Sequence, residues 1–229
     1  MCIRDSSKYL DKVLDFDKEK MTCVVEPGIV LDELNRFLKP YGLWFPVDVS
    51  TSSRATIGGM AGNNSCGGRS IRYGMMRDNV IDIEAILYDG SIYNFGKIEN
   101  NCLPYSNGVA PEIINNLQKL ANDNKKEIIS KFPKVLRRVG GYNIDALLTD
   151  AMANRPNGKV GDGINLSHLL VGSEGTLAYS TAITLKLSPL PSKKIMGVCH
   201  FPSFYEAMDA AQHICLLYTS PSPRDTIRS

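Results

Sequence analysis

The residues best placed to do chemistry lie between positions 46 and 68. That stretch, PVDVSTSSRATIGGMAGNNSCGG, holds Gly58, Gly59, Gly62, Gly67 and Gly68 together with Asn63, Asn64 and a series of hydroxyls. Glycine at this density lets backbone N–H groups approach an anion, because no Cβ holds the ligand away. A short helix beginning near Thr56 would add the positive end of its dipole, which favours a pyrophosphate. The same composition also suits a loop built of tight turns, and composition does not separate the two. Two phosphate motifs are excluded. No GxxxxGK[S/T] occurs, and the Gly58-Gly59-x-x-Gly62 spacing is not GxGxxG, nor does a strand–turn–helix unit with a distal acidic residue surround it.

Other reactive side chains are scattered. His168 and His200 sit in no acid–base constellation, and His168 reads as a structural residue near a strand. Cys66 lies inside the glycine-rich stretch, where a small residue tolerated by close packing is the simpler reading, because no base is at hand to make a thiolate. Arg69, Arg72 and Arg77 form a basic cluster; one could receive a carboxylate through its guanidinium fork, and solvated surface arginines are the plainer alternative. Glu174 could accept a ribose hydroxyl, although its segment matters more for the flanking glycine backbone.

The elements that must position these groups follow from periodicity. Residues 21–25 form a β-branched run that stops at the turn Glu26-Pro27-Gly28. Val30, Leu31, Leu34, Phe37 and Leu38 recur at helical spacing, with Pro40 and Gly42 closing the helix. Residues 80–87 alternate as a strand, and Asp89-Gly90 turns the chain into a second strand at 92–95. Residues 97–140 read as mainly helical, with Ile113, Leu117 and Leu120 along one face. The span 154–163 is a Gly/Pro/Asn loop, and 122–126 an exposed helix end. Strand character returns over 177–187 and stops at Pro189 and Pro191, a stiff linker. Beyond it, 195–201 reads as a strand, and Ser203 caps a helix running to 214.

Bulk properties exclude several classes. Apolar residues are 43% and charged residues 22% of the 229, an ordinary globular composition. The net charge of +2 argues for neither nucleic acid nor a membrane surface as partner. No apolar run approaches the roughly 18 residues of a transmembrane span. Six cysteines without CxxC spacing suggest neither a disulfide framework nor a metal site, so a cytoplasmic setting is the expectation. The two ends are expected not to be the protein's own. Residues 215–220 can be back-translated to a DNA word whose reverse complement encodes residues 1–5, and that word resembles a transposon-end sequencing adaptor. The organisation expected is therefore adaptor at 1–6 and 215–229, a partial nucleotide-binding domain over 7–192, and the start of a second domain at 193–214. Four cysteines then remain: Cys23, Cys66, Cys102 and Cys199.

The ordered motifs Val25-Glu26-Pro27-Gly28, Pro46-x-Asp48, Thr56-Ile57-Gly58-Gly59, Asn63-Asn64-Ser65-Cys66-Gly67, Arg72-Tyr73-Gly74 and Gly172-Ser173-Glu174-Gly175-Thr176-Leu177 resemble the vanillyl-alcohol-oxidase-type flavoprotein superfamily, with its PCMH-type FAD domain. The sequence is most similar to the D-lactate, glycolate and 2-hydroxyglutarate dehydrogenase branch, and the 57–67 segment to long members that add an iron–sulfur region. The resemblance implies an α+β fold: a mixed sheet flanked by helices, lacking the family's first phosphate loop at its N-terminal side and followed by the start of a ferredoxin-like substrate domain. It implies FAD as cofactor, with Pro46 and Asp48 beside the flavin. Thr56, Ile57, Gly58 and Gly59 would lie on the pyrophosphate and ribityl chain, Asn63 and Gly67 near the ring system, and Gly175 and the Ile183 backbone at the adenosine, with Ala55 and Gly62 also binding the cofactor. It implies oxidation of a small 2-hydroxy acid to the 2-oxo acid, with electrons passed to a quinone, an electron-transfer protein or an iron–sulfur module, and a cytoplasmic enzyme that can associate peripherally with the membrane. No residue here matches a catalytic base, and the chain alone is expected neither to retain FAD nor to turn over. An ether-lipid synthase of the same superfamily and a non-catalytic nucleotide-binding remnant are the competing readings.

Overall fold

Strand and helix patterns assemble around one five-stranded sheet in the computed structural model, which describes residues 8–98, 109–133, 135, 137–148, 164–193 and 197–217. Strands β1 (Val13–Asp17) and β2 (Thr22–Val25) form a hairpin, followed by the short β3 (Leu43–Trp44). The next hairpin joins β4 (Val80–Ile86) to β5 (Ile92–Phe95). Two short ladders complete the strands: β6 (Lys97–Ile98) pairs with β7 (Ile164–Asn165), and β3 pairs with β9 (Ser188–Pro189). The long strand β8 (Tyr179–Lys186) enters the middle of the main sheet, whose order is β1-β2-β8-β4-β5. The α+β class is as expected, with one refinement: where a mixed sheet was expected, every pairing among the described residues is antiparallel.

Burial follows the side-chain period of two, corrected where the ladder is irregular. Ile183 and Leu185 of β8 are fully buried, as are Cys23 and Val25 on β2. On β4 the buried set is Val80, Ile83 and Ala85, which breaks strict alternation. A register shift between Val80 and Asp82 inserts the extra residue and restores the phase, as β-bulges do. Thr184 Oγ1 donates to Asp82 Oδ1 at 2.7 Å across the same pair.

The Leu31–Leu38 helix lays Leu31, Leu34 and Leu38 into this core, each worth about 2 kcal/mol of burial. Its predicted fourth apolar residue, Phe37, instead joins Phe16 and Tyr41 in a half-exposed aromatic cluster. The Asn35 side chain accepts from the Phe45 N–H at 2.8 Å and ties the helix to the chain leading into residue 46.

Three expectations are corrected. Over the helix Pro111–Asp123 the buried residues are Ile114 and Ala121; Ile113 and Leu117 are half-buried and Leu120 faces solvent. The buried stripe continues to Ile128 on the next helix, Lys125–Lys131, so it runs one residue out of phase with the sequence expectation. Of the strand expected over 195–201, residues 197–201 form no strand, because no neighbouring strand among the described residues supplies pairing partners. Pro189, expected to end the strand, sits in β9 opposite Leu43, an edge position where a missing N–H is tolerated. Ser203 does cap the final helix, Phe204–Leu217, its hydroxyl accepting from the Glu206 N–H at 3.3 Å. The loop expected at 154–163 and Cys102 lie outside the described residues.

Candidate functional site

Local rules explain why the glycine-rich segment folds as it does. Thr56 is an N-cap in extended conformation, and its Oγ1 accepts from the Gly59 N–H at 3.2 Å, opening the helix Ile57–Asn63. The turn at 26–29 is stitched to the helix start: Ile57 N–H donates to the Ile29 carbonyl at 2.9 Å and Gly58 N–H to the Pro27 carbonyl at 2.7 Å. The first amides of this helix are therefore used within the protein. The N–H groups of 57–59 are not a free row, because the helix begins against the preceding turn.

What the helix offers instead is a bare outer face. Ile57, Gly58, Met60 and Ala61 are buried, whereas Gly59 and Asn63 are exposed and Gly62 is half-exposed. The glycines divide accordingly. A Cβ on Gly58 would meet Pro27 Cβ at 2.5 Å, and one on Gly67 would meet the Asp48 carbonyl oxygen at a non-bonded distance no atom tolerates, so those two are required by internal packing. A Cβ on Gly62 would meet nothing nearer than Glu174 Cα at 3.7 Å, and one on Gly175 nothing within 4 Å.

The structure brings three distant segments together here. The helix ends at Asn64, in left-handed conformation, and its last carbonyls are taken by the turn at 172–175: Gly172 N–H donates to Ala61 O at 2.9 Å and Glu174 N–H to Gly62 O at 3.0 Å. Glu174 Oε1 accepts from Asn63 Nδ2 at 2.9 Å, so this carboxylate, read in the sequence as a ribose acceptor, is engaged inside the protein. On the other side Asp48 packs against Gly67, and its Oδ1 accepts from the Arg69 N–H at 3.2 Å. Pro46 is buried behind it, and Ala55 precedes the cap, its N–H donating to Thr51 O. Ile183 is placed apart, fully buried in the middle of β8 between Val25 and Ile83.

The arginine cluster does not act as one group. Arg77 is buried; its Nη1 donates to Asn143 Oδ1 at 2.6 Å and lies 3.8 Å from Asp145 Oδ2. Arg69 lies over the Trp44 ring at 4.8 Å, and Arg72 over the Tyr73 ring at 5.3 Å. His168 is buried on the short helix Ser167–Leu170, while His200 is exposed. Cys66 is half-buried. Burial pushes the Cys23 thiol up to about 12, with Asp15 adding to the effect, so that sulfur is inert at neutral pH.

Sequence reasoning missed a buried polar network that fixes the site. Asn64 Oδ1 accepts from the Arg77 N–H at 3.0 Å and its Nδ2 donates to the Arg138 carbonyl at 3.2 Å. Asn143 Oδ1 receives both Arg77 and Arg138, and its Nδ2 donates to the Val171 carbonyl at 2.7 Å, just before the 172–175 turn. Arg138 also donates to Asp145 Oδ1 at 2.6 Å. The only sequence signal was the composition RRVGGYNID at 137–145, which has no period to reveal its partners.

Comparison with known proteins agrees with the resemblance. Residues 5–96 match the family model described as an FAD binding domain. The chain is 31% identical over 209 residues to the D-2-hydroxyglutarate dehydrogenase of Escherichia coli (strain K12), covering 90% of this chain and 20% of that protein. It is also 31% identical over 209 residues to a probable mitochondrial D-lactate dehydrogenase of Danio rerio, covering 91% of this chain and 31% of that one. Glycolate oxidase subunit GlcD of Bacillus subtilis (strain 168) is 29% identical over 204 residues, 89% of this chain and 30% of its own length. Among solved structures, alkyldihydroxyacetonephosphate synthase superposes with a TM-score of 0.53 at 20% identity, over 89% of this chain and 26% of its own, a likeness of fold. The chain thus spans between a fifth and a third of these curated relatives.

Proposed function

We propose that the full-length protein, whose residues 5–96 match an FAD binding domain, holds FAD along the glycine-bare face of the Ile57–Asn63 helix and the adjoining 172–175 turn. The full-length protein then oxidises a 2-hydroxy acid to the 2-oxo acid. The observation that carries this reading is Gly62, which leaves open space that neither its backbone conformation nor the protein's own packing requires, beside a turn whose Gly175 is fixed by its left-handed backbone, φ 73°. Space without side chains, walled by polar groups, fits a long dinucleotide.

Gly59, Gly62 and Asn63 contact the cofactor from the helix, and Thr56 holds the helix start in place through its cap. Ala55, Ile57 and Gly58 act through position, locking that start onto the 26–29 turn. Pro46, Asp48 and Gly67 form the opposite rim, Gly175 supplies the second bare turn, and Ile183 anchors the sheet beneath. FAD, when bound, takes up the two electrons released as the hydroxy acid loses its carbinol C–H. The chain's own residues orient and enclose the reactants, and the base is not assigned to any of them.

The electrons leave to a quinone, an electron-transfer protein or an iron–sulfur module elsewhere in the protein. Residues 7–192 belong to the flavin domain and 193–214 lead into a second one, in keeping with the exposed apolar side chains Phe204, Tyr205 and Met208 on the last helix. No described helix is long and apolar enough to cross a membrane, and the enzyme acts in the cytoplasm or at the inner membrane face. The test is an anaerobic titration of the purified full-length protein followed by flavin absorbance. The expected result is a bound flavin bleached by D-2-hydroxyglutarate, D-lactate or glycolate. Protein that takes up no FAD overturns the cofactor assignment, and loaded protein bleached by none of the three overturns the substrate class.

A further inference from the structure

Residues 137–142 form a strap between the two turns of the proposed flavin site. At one end Arg137 Nη1 donates to the Gly67 carbonyl at 3.1 Å. At the other the Tyr142 hydroxyl lies 2.8 Å from Thr176 Oγ1. Between them the Gly141 carbonyl lies so close to Gly172 that a Cβ there would stand 3.4 Å from it. The base of the strap is the buried network, in which Asn64 holds the Arg138 carbonyl while Asn143 and Asp145 hold its guanidinium.

Two consecutive arginines therefore have opposite roles. Arg138 points inward, stacks over Phe132 at 4.6 Å and is saturated by buried acceptors. Arg137 points outward and is exposed; among the described residues its guanidinium meets one neutral carbonyl and no carboxylate. A guanidinium presents five donors in a planar fork matched to a carboxylate, so a single backbone acceptor leaves most of that capacity unused. The Gly67 contact fixes where the fork stands, at the rim formed by Asp48 and Gly67, where the Arg69 backbone N–H also holds Asp48 while its guanidinium lies over Trp44.

We infer that Arg137 is a specificity residue, receiving the carboxylate of the 2-hydroxy acid at the Gly67 rim while the strap fixes its position. The inference rests on the flavin reading and adds to it the residue that selects an acid over a neutral alcohol. Arg138 and Tyr142 are positioning residues, acting through the strap.

The experiment uses the full-length protein loaded with FAD, with oxalate as a carboxylate probe read by perturbation of the flavin absorbance. Arg137→Gln is expected to weaken oxalate binding between about tenfold and a hundredfold, the range for losing a hydrogen bond to a charged group. Its FAD dissociation constant is expected to change by a smaller factor than its oxalate constant. Arg137→Lys keeps the charge without the fork and falls between. Oxalate binding unchanged in Arg137→Gln overturns the inference. An equal loss of FAD affinity also overturns it, by assigning the guanidinium to a cofactor phosphate. A parent protein that takes up no FAD overturns the flavin reading itself, and the inference with it.

Discussion

Adding one methyl group at Gly58 or at Gly62 should have opposite consequences, although the two residues share one helix. At Gly58 the new Cβ would lie 2.5 Å from Pro27 Cβ and 2.9 Å from the Pro27 carbonyl oxygen, atoms of a buried turn that cannot swing aside. Overpacking of this kind costs about 1–3 kcal/mol, against roughly 0.5–1 kcal/mol gained from replacing glycine in a helix. Gly58→Ala is therefore expected to lose about 1–2 kcal/mol, a fall in Tm of roughly 2–8 °C for a chain of this size. At Gly62 the nearest atom to a new Cβ is 3.7 Å away, an ordinary contact, so the helix gain stands nearly alone. Near the helix end it amounts to about 0.5 kcal/mol, or 1–2 °C upward. The same methyl would occupy the face proposed for FAD and should weaken flavin binding by about tenfold or more, on the same overpacking scale. Circular dichroism melting of the two variants gives the stabilities, and a flavin fluorescence titration of the full-length protein gives the affinity. A destabilised Gly62→Ala would refute the reading of open space, and one that binds FAD as tightly as the parent would refute the ligand face.

Two further outcomes concern buried groups. Asp145→Ala removes the carboxylate shared by Arg77 and Arg138; breaking a buried ion pair from one side costs about 3–5 kcal/mol, and a urea midpoint close to that of the parent would show the network to be dispensable. Cys23 ionises near 9.0 unfolded and at about 12 folded. The unfolded thiol therefore releases its proton first, and its contribution to stability falls as pH rises from 9 to 12. At pH 8 iodoacetamide should modify Cys66 and Cys199 but spare Cys23 until denaturant is added, and peptide mapping that finds Cys23 alkylated in the folded protein would contradict its burial.

Much of the fold was legible because it is locally encoded. The Asp89-Gly90 turn, the leucine spacing of Leu31, Leu34 and Leu38, the Thr56 cap and the Ser203 cap each depend on residues within a few positions of one another. β1 went unread because two aspartates in five residues hide its pattern, and it is a strand only because β2 lies beside it. The stripe on Pro111–Asp123 was misphased by one residue, since its apolar positions fit two faces and packing chose Ile114 and Ala121. In the site, the glycine segment was visible, but its division into packing glycines and bare ones was not. That division depends on Pro27, Asp48 and Glu174, residues distant in sequence. Arg77 was likewise read as one of three arginines that either receive a carboxylate or lie solvated on the surface, because nothing near it in the chain announces Asn143 and Asp145.

The position of β8 also sets when this protein can begin to fold as it is synthesised. The hairpin of β1 and β2 and the hairpin of β4 and β5 meet only through β8, with Val25 and Ile83 both paired to Ile183. Until that late strand leaves the ribosome, two marginal hairpins hold their apolar faces open to solvent. At about 5–20 residues per second, the interval between the emergence of Val25 and Ile183 is on the order of ten seconds. The order in which the strands are made thus leaves those faces uncovered until β8 has emerged.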